Sequence, residues 1–127
     1  MYLPWKDDYK RDTLVTIRLG KSVNTYLNHM KQVYNLGTTD TIVKAIHNQF
    51  LEAKDIILNQ KPKENAKENN EVKSIPISIR LDECELDEVN YIMDAYNLSR
   101  TGAIRYSIEM EAYRIMTRNR EEAIKNG

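Results

Sequence analysis

Four polar side chains recur at one spacing: Thr16 and Arg18 in the first half of the chain, Ser78 and Arg80 in the second, 62 positions later. Hydroxyl and guanidinium groups can donate hydrogen bonds to the polar edges of a partner. Side chains suited to covalent or metal chemistry are sparse. A single cysteine, Cys84, cannot close an internal disulfide, and His29 and His47 lack zinc-finger spacing to cysteine pairs. With four glycines there is no glycine-rich phosphate loop, and neither a Gly-x-Ser-x-Gly elbow nor a His-Glu-x-x-His motif occurs. His29, His47 and Cys84 read as ordinary surface or partly buried side chains. No catalytic residue, cofactor or metal is implied, and recognition rather than enzymatic activity is expected.

At 127 residues the ceiling is one compact domain or two very small ones. Nineteen basic residues balance nineteen acidic ones, so the chain is no polycation that coats nucleic acid or anionic membrane indiscriminately. Any charged partner must be met by a local patch. No run of 18 apolar residues exists, and the start, Met1-Tyr2-Leu3-Pro4-Trp5-Lys6, lacks the layout of a signal peptide. A soluble, cytoplasmic chain with no membrane partner is the expectation.

The spacing of 62 belongs to an internal repeat. Val15-Thr16-Ile17-Arg18-Leu19 aligns with Ile77-Ser78-Ile79-Arg80-Leu81, and the same offset continues ungapped for almost forty positions. Asn28 falls on Asn90, Tyr34-Asn35-Leu36 on Tyr96-Asn97-Leu98, Thr39 on Thr101, Ile42 on Ile104 and Ile46 on Ile108. Apolar character persists where identity fails, as at Leu27/Val89, Met30/Ile92 and Val33/Ala95.

Each copy predicts a strand followed by two helices. Val15, Ile17 and Leu19 alternate with Leu14, Thr16 and Arg18, the two-residue period of a half-buried strand; Ile75, Ile77, Ile79 and Leu81 alternate with Ser74, Pro76, Ser78 and Arg80. Helical spacing follows in Val23, Leu27, Met30 and Val33, and in Leu86, Val89, Ile92 and Ala95-Tyr96. Leu36-Gly37-Thr38-Thr39 and Leu98-Ser99-Arg100-Thr101 interrupt it with residues that favour helix N-caps. A second stripe runs through Ile42, Ala45-Ile46, Gln49-Phe50, Ala53 and Ile57, and through Ile104, Ile108, Ala112 and Ile115-Met116.

The division is then an N-terminal arm over 1–12, a first copy over 13–59, a polar linker over 60–73 and a second copy with a helical extension over 74–127. The linker is charge-mixed and empty of large apolar residues, a solvated tether; its Lys, Glu and Ala content leaves a helical extension as the alternative. A lone strand needs a partner for its backbone groups, and the other copy supplies one. Antiparallel pairing across a pseudo-two-fold axis puts the apolar strand faces on a four-helix core and exposes the polar faces. Pro76, which has no N–H, fits the outer face if Ile77 and Ile79 carry the ladder; alternatively it marks the strand's start. The expected fold is mainly α with a short two-stranded antiparallel β-ribbon, in the order β-α-α-β-α-α.

With these elements in place, each copy resembles a ribbon-helix-helix unit of the MetJ/Arc superfamily, over roughly residues 13–57 and 75–118. The resemblance rests on the alternating strand ending Ile-Arg-Leu and on Asn97-Leu98-Ser99-Arg100-Thr101-Gly102-Ala103-Ile104-Arg105. Gly102 departs from the capping glutamate common in the family, and Gly37-Thr38-Thr39-Asp40 lacks the turn arginine. The resemblance implies a tandem pseudo-dimer whose ribbon enters the major groove of double-stranded DNA. It implies base reading by Thr16, Arg18, Ser78 and Arg80, with Leu14 and Pro76 at the margins. It places phosphates at the N-termini of the second helices, near Thr38, Thr39, Ser99, Arg100 and Thr101. Lys21, whose counterpart is Glu83, and Lys6, Lys10 and Arg11 of the arm are additional backbone candidates.

The implied function is sequence-specific DNA binding by a transcriptional regulator, a repressor in the first instance. A plasmid transfer or partition accessory factor is the alternative within the same chemistry, and an antitoxin-like protein-interaction module the alternative outside it. Residues 1–62 hold nine basic and six acidic side chains, and 63–127 hold ten and thirteen. The acids Asp82, Glu83, Glu85, Asp87, Glu88 and Asp94 read as a solvated face turned from DNA. Trp5, Tyr2 and Tyr9 are expected to pack on the core or a neighbour. The run from Arg114 through Arg118 and Arg120 to Ile124 is a candidate contact between copies bound side by side.

Overall fold

A computed structural model describes residues 11–59 and 71–126. Lys6, Lys10, Tyr2, Trp5, Tyr9 and most of the linker lie outside that range. Among the described residues, two strands and four helices follow in the order β1 (Thr13–Leu19), α1 (Lys21–Tyr34), α2 (Thr38–Leu58), β2 (Ile75–Leu81), α3 (Glu83–Tyr96) and α4 (Arg100–Asn126). The described residues are mainly helical with a two-stranded antiparallel sheet.

One of the two identical triplets shared by the copies, Tyr-Asn-Leu, falls where the backbone is most demanding. Asn35 and Asn97 end α1 and α3 in the left-handed region, at φ 53° and 56°. Asparagine tolerates that region better than other residues with a Cβ. The next residue folds back in both copies, Leu36 N–H to the Lys31 carbonyl at 3.1 Å and Leu98 N–H to Met93 at 3.0 Å. The Tyr-Asn-Leu repeat is thus a helix stop that aims each second helix.

Helix starts differ between the copies. Gly20 and Gly37 begin α1 and α2 without a side-chain cap. Asp82 begins α3 with a capping box, its carboxylate accepting from Glu85 N–H at 2.7 Å while Glu85 accepts from Asp82 N–H at 2.9 Å. Ser99 Oγ accepts from Gly102 N–H at 3.1 Å at the start of α4. Two of the six acids expected on a solvated face, Asp82 and Glu85, are therefore buried, because capping draws them onto the helix end.

β1 and β2 pair with Thr16 opposite Ser78, Val15 opposite Ile79 and Ile17 opposite Ile77. Val15, Ile17, Leu19, Ile79 and Leu81 turn inward, and with Leu27, Met30, Ile42, Ile46, Ile92, Ile104 and Ile108 they form one core. Packing crosses between the copies: α2 lies on α3 and α4, and α1 on α4. Two expected core residues are exposed, Val33 at 50% and Met116 at 46%. At 100° per residue the stripe from Val23, Leu27 and Met30 continues to Tyr34, leaving Val33 about 100° off it, and Met116 is displaced similarly from Ile115. In α2, Ile56 is buried and Ile57 only half-buried.

A polar cluster seals the helices. Glu111, 2% exposed, accepts hydrogen bonds from the Tyr34 hydroxyl, from Asn48 Nδ2 at 2.9 Å and from Arg114 Nη1 at 2.8 Å. Arg114 also donates to Gln49 and pairs with Glu52 at 3.1 Å, while Gln49 Nε2 donates to the Tyr96 hydroxyl at 2.7 Å. Burial, and then the bond to Glu111, push the Tyr34 hydroxyl from its ordinary 10.0 up to about 12. Since the folded value lies above the unfolded one, this contribution to stability is complete below pH 10 and is lost as pH rises through about 12. Tyr34→Phe is expected to flatten the fall in urea midpoint across that window. Parallel profiles for the two proteins would refute the linkage.

Candidate nucleic-acid interface

The outer face of the ribbon is polar at its centre, with Leu14 and Pro76 at its margins. Alternation places Leu14, Thr16, Arg18, Pro76, Ser78 and Arg80 outward, and all six are exposed. At its centre Thr16 Oγ1 and Ser78 Oγ lie 3.0 Å apart, each the other's partner at the repeat offset. Arg18 stands opposite Pro76 and Arg80 opposite Leu14, so the two arginines occupy diagonal ends of the ribbon. Pro76 is the second residue of β2 and sits on the exposed face.

Backbone contacts hold both ends. Arg105 Nη1 of α4 donates to the Arg18 carbonyl at 3.2 Å, and Arg80 Nη1 donates to the Asp12 carbonyl at 3.3 Å. One of these bonds uses the guanidinium of Arg80 itself, whereas Arg18 takes part in the other through its carbonyl. Nothing in the repeat announces Arg105 as a support, because its counterpart is Val43.

The residues expected at phosphates lie at the starts of α2 and α4, as their N-cap chemistry implies. Thr38 and Thr39 open α2 after the uncapped Gly37, and a Cβ added to Gly37 would meet nothing within 4 Å. Thr38 and Thr39 are half-buried, and the same turn carries Asp40, whose carboxylate is paired with Arg11 at 2.9 Å. At α4, Ser99 and Arg100 are exposed and Thr101 is half-buried. Ser99 Oγ already serves Gly102 N–H, and Arg100 is the cation of that turn. Lys21 begins α1 and is exposed.

Arg11 has a different environment from the one expected of a backbone contact. Its Nε donates to both Glu85 oxygens at 3.1 Å, its Nη2 to Glu85 at 2.9 Å and its Nη1 to Asp40 at 2.9 Å. The bond to Glu85 raises the guanidinium pKa above its ordinary value, against the opposing effect of burial. A phosphate at Arg11 must compete with two carboxylates. Of the remaining acids, Glu88 pairs with His47 at 2.9 Å, while Glu83, Asp87 and Asp94 are exposed.

Among the described residues no helix is long and apolar enough to cross a membrane, and no group of histidine, cysteine and carboxylate side chains is arranged to hold a metal ion. Compared with protein-family models, curated proteins and solved structures, the chain finds no match.

Proposed function

We propose that the chain is a sequence-specific double-stranded DNA-binding protein of the ribbon-helix-helix kind, acting as a transcriptional regulator, with its two copies joined as an intramolecular pseudo-dimer. The observation that carries this reading is the ribbon's outer face, polar, exposed and centred on the Thr16–Ser78 pair, with an arginine at each diagonal end. A two-stranded ribbon fits the B-DNA major groove, about 12 Å wide. Arg18 and Arg80 are four register positions apart, about 14 Å along the strands. At about 3.4 Å per step this spans about four base pairs. Each guanidinium matches guanine O6 and N7, and the two hydroxyls suit the bases between them.

The open start of α2 and the Arg100 turn of α4 then flank the ribbon as phosphate contacts, one made by backbone N–H groups and one assisted by a cation. Zero net charge makes affinity for arbitrary DNA low, so binding depends on base reading or on copies side by side. Leu14 against Pro76 and Lys44 against Tyr106 make the two halves unlike, and the preferred site is an imperfect palindrome.

Selection from a random duplex pool at moderate salt tests the reading. The protein is expected to enrich a short consensus that the Arg18→Ala/Arg80→Ala double variant loses, each arginine contributing roughly 1–3 kcal/mol. No enrichment even at low salt would sink the proposal; a perfectly symmetric consensus would sink its asymmetric form.

A further inference from the structure

We infer that the surface joining the two copies selects its partner: the first copy is completed by the second and rejects another first copy. The inference rests on the two-fold relation between the copies and does not require DNA binding.

The repeat offset equates Tyr34 with Tyr96, Gln49 with Glu111 and Glu52 with Arg114. In the structure the Tyr34 hydroxyl meets Glu111 and the Tyr96 hydroxyl meets Gln49, one contact made twice. Glu52 pairs with Arg114 at 3.1 Å, so this position faces its own equivalent, as Thr16 faces Ser78. In a pair of first copies, Glu52 would face a second Glu52 between two neutral glutamines, with no arginine at that position; the cation each first copy brings is Lys44, seated over the Tyr34 ring at 4.2 Å. In a pair of second copies, arginine would face arginine, but a glutamate equivalent to Glu111 would accompany each. The cluster therefore discriminates against first-with-first and tolerates second-with-second.

The segments leading into the strands carry an independent signal of the same sign. Arg11, ahead of β1, pairs with Glu85 at the start of α3. Glu71, ahead of β2, lies at the start of α1, where its two oxygens accept from Ser22 N–H at 2.9 and 3.2 Å. That helix has no side-chain cap and no acid of its own in the first turn, and its Gly20 leaves room for the Glu71 carboxyl. Pairing first with first would bring Arg11 to the positive end of α1 and remove Glu71. The arginine of the cluster comes from the second copy and the carboxylate at α1 from the segment leading into it.

Three variants of the full chain test this by urea unfolding. Glu111→Gln with Arg114→Glu gives the second copy the first copy's cluster residues and is expected to lower the folded-to-unfolded ratio about a hundredfold. Gln49→Glu with Glu52→Arg does the reverse and is expected to stay within about tenfold of the parent. Combining all four substitutions turns the charged residues of the cluster about the axis, though not the Asn48 donor, whose counterpart is Met110, and is expected to recover more than half of the loss on a logarithmic scale. If the four-fold variant recovers while the two pairs of substitutions behave alike, the selectivity is refuted and the two-fold relation stands. If the four-fold variant is as damaged as the worse pair, the positions are not interchangeable and the two-fold relation itself fails.

Discussion

Residues 11–59 produced without the second half are expected to show far less helix than their share of the intact chain and no cooperative urea transition. β1 has β2 as its strand partner, and α1 and α2 bury their stripes against α3 and α4. Leu19, Leu27, Met30, Ile42 and Ile46, all at or near zero exposure, lose cover that the other half provides. Burial of one such side chain contributes about 1.5–3 kcal/mol, and a domain's net stability is about 5–15 kcal/mol. Loss of cover over a handful of them exceeds the whole margin. Adding residues 71–127 should restore the transition in a concentration-dependent manner, since a tether that gives roughly millimolar effective concentration has been removed. A cooperatively folded 11–59 monomer, seen by circular dichroism and sedimentation, would show that the core is not shared.

Arg114→Ala is expected to destabilise the intact protein by about 3 kcal/mol, because Glu111 is left at 2% exposure without its cation. Tyr34 and Asn48 still donate to that carboxylate, which keeps the cost toward the lower end for a broken buried pair. For a chain of this length the melting temperature should fall by about 10 °C. Glu52→Ala, which removes the half-exposed partner of the same arginine, should cost under about 1 kcal/mol. Equal losses in the two variants would mean that burial does not govern this cluster.

The ribbon and the order of elements were legible because each strand has one dry face, and a two-residue period admits only one way to hide Val15, Ile17 and Leu19. The repeat supplied the strand partner, and the outward residues follow from the same alternation. Less was legible where the fold depends on contacts between halves. Tyr-Asn-Leu was visible as an identity, but its left-handed asparagine belongs to three-dimensional helix termination. Glu71 falls in the stretch read as tether, yet it covers the bare end of α1, a role set by strand pairing rather than by neighbours in sequence. Glu111 sits on the apolar stripe of α4, where a carboxylate breaks the pattern. Its offset from Gln49 was the available signal, and the charge change from Glu52 to Arg114 was another.

The self-facing position at Thr16 and Ser78 has a consequence for how such a surface changes over generations. In an assembly of two identical chains every mutation of the outer face appears twice, so a new preference must suit both ends at once. Here the ends are encoded separately. Arg18 can be replaced while Arg80 is kept, and the central hydroxyl pair can lose one member at a time. Most of the outer face therefore survives each step, and under the proposed DNA-reading role gradual drift between targets is open to this chain where a homodimer would need a jump.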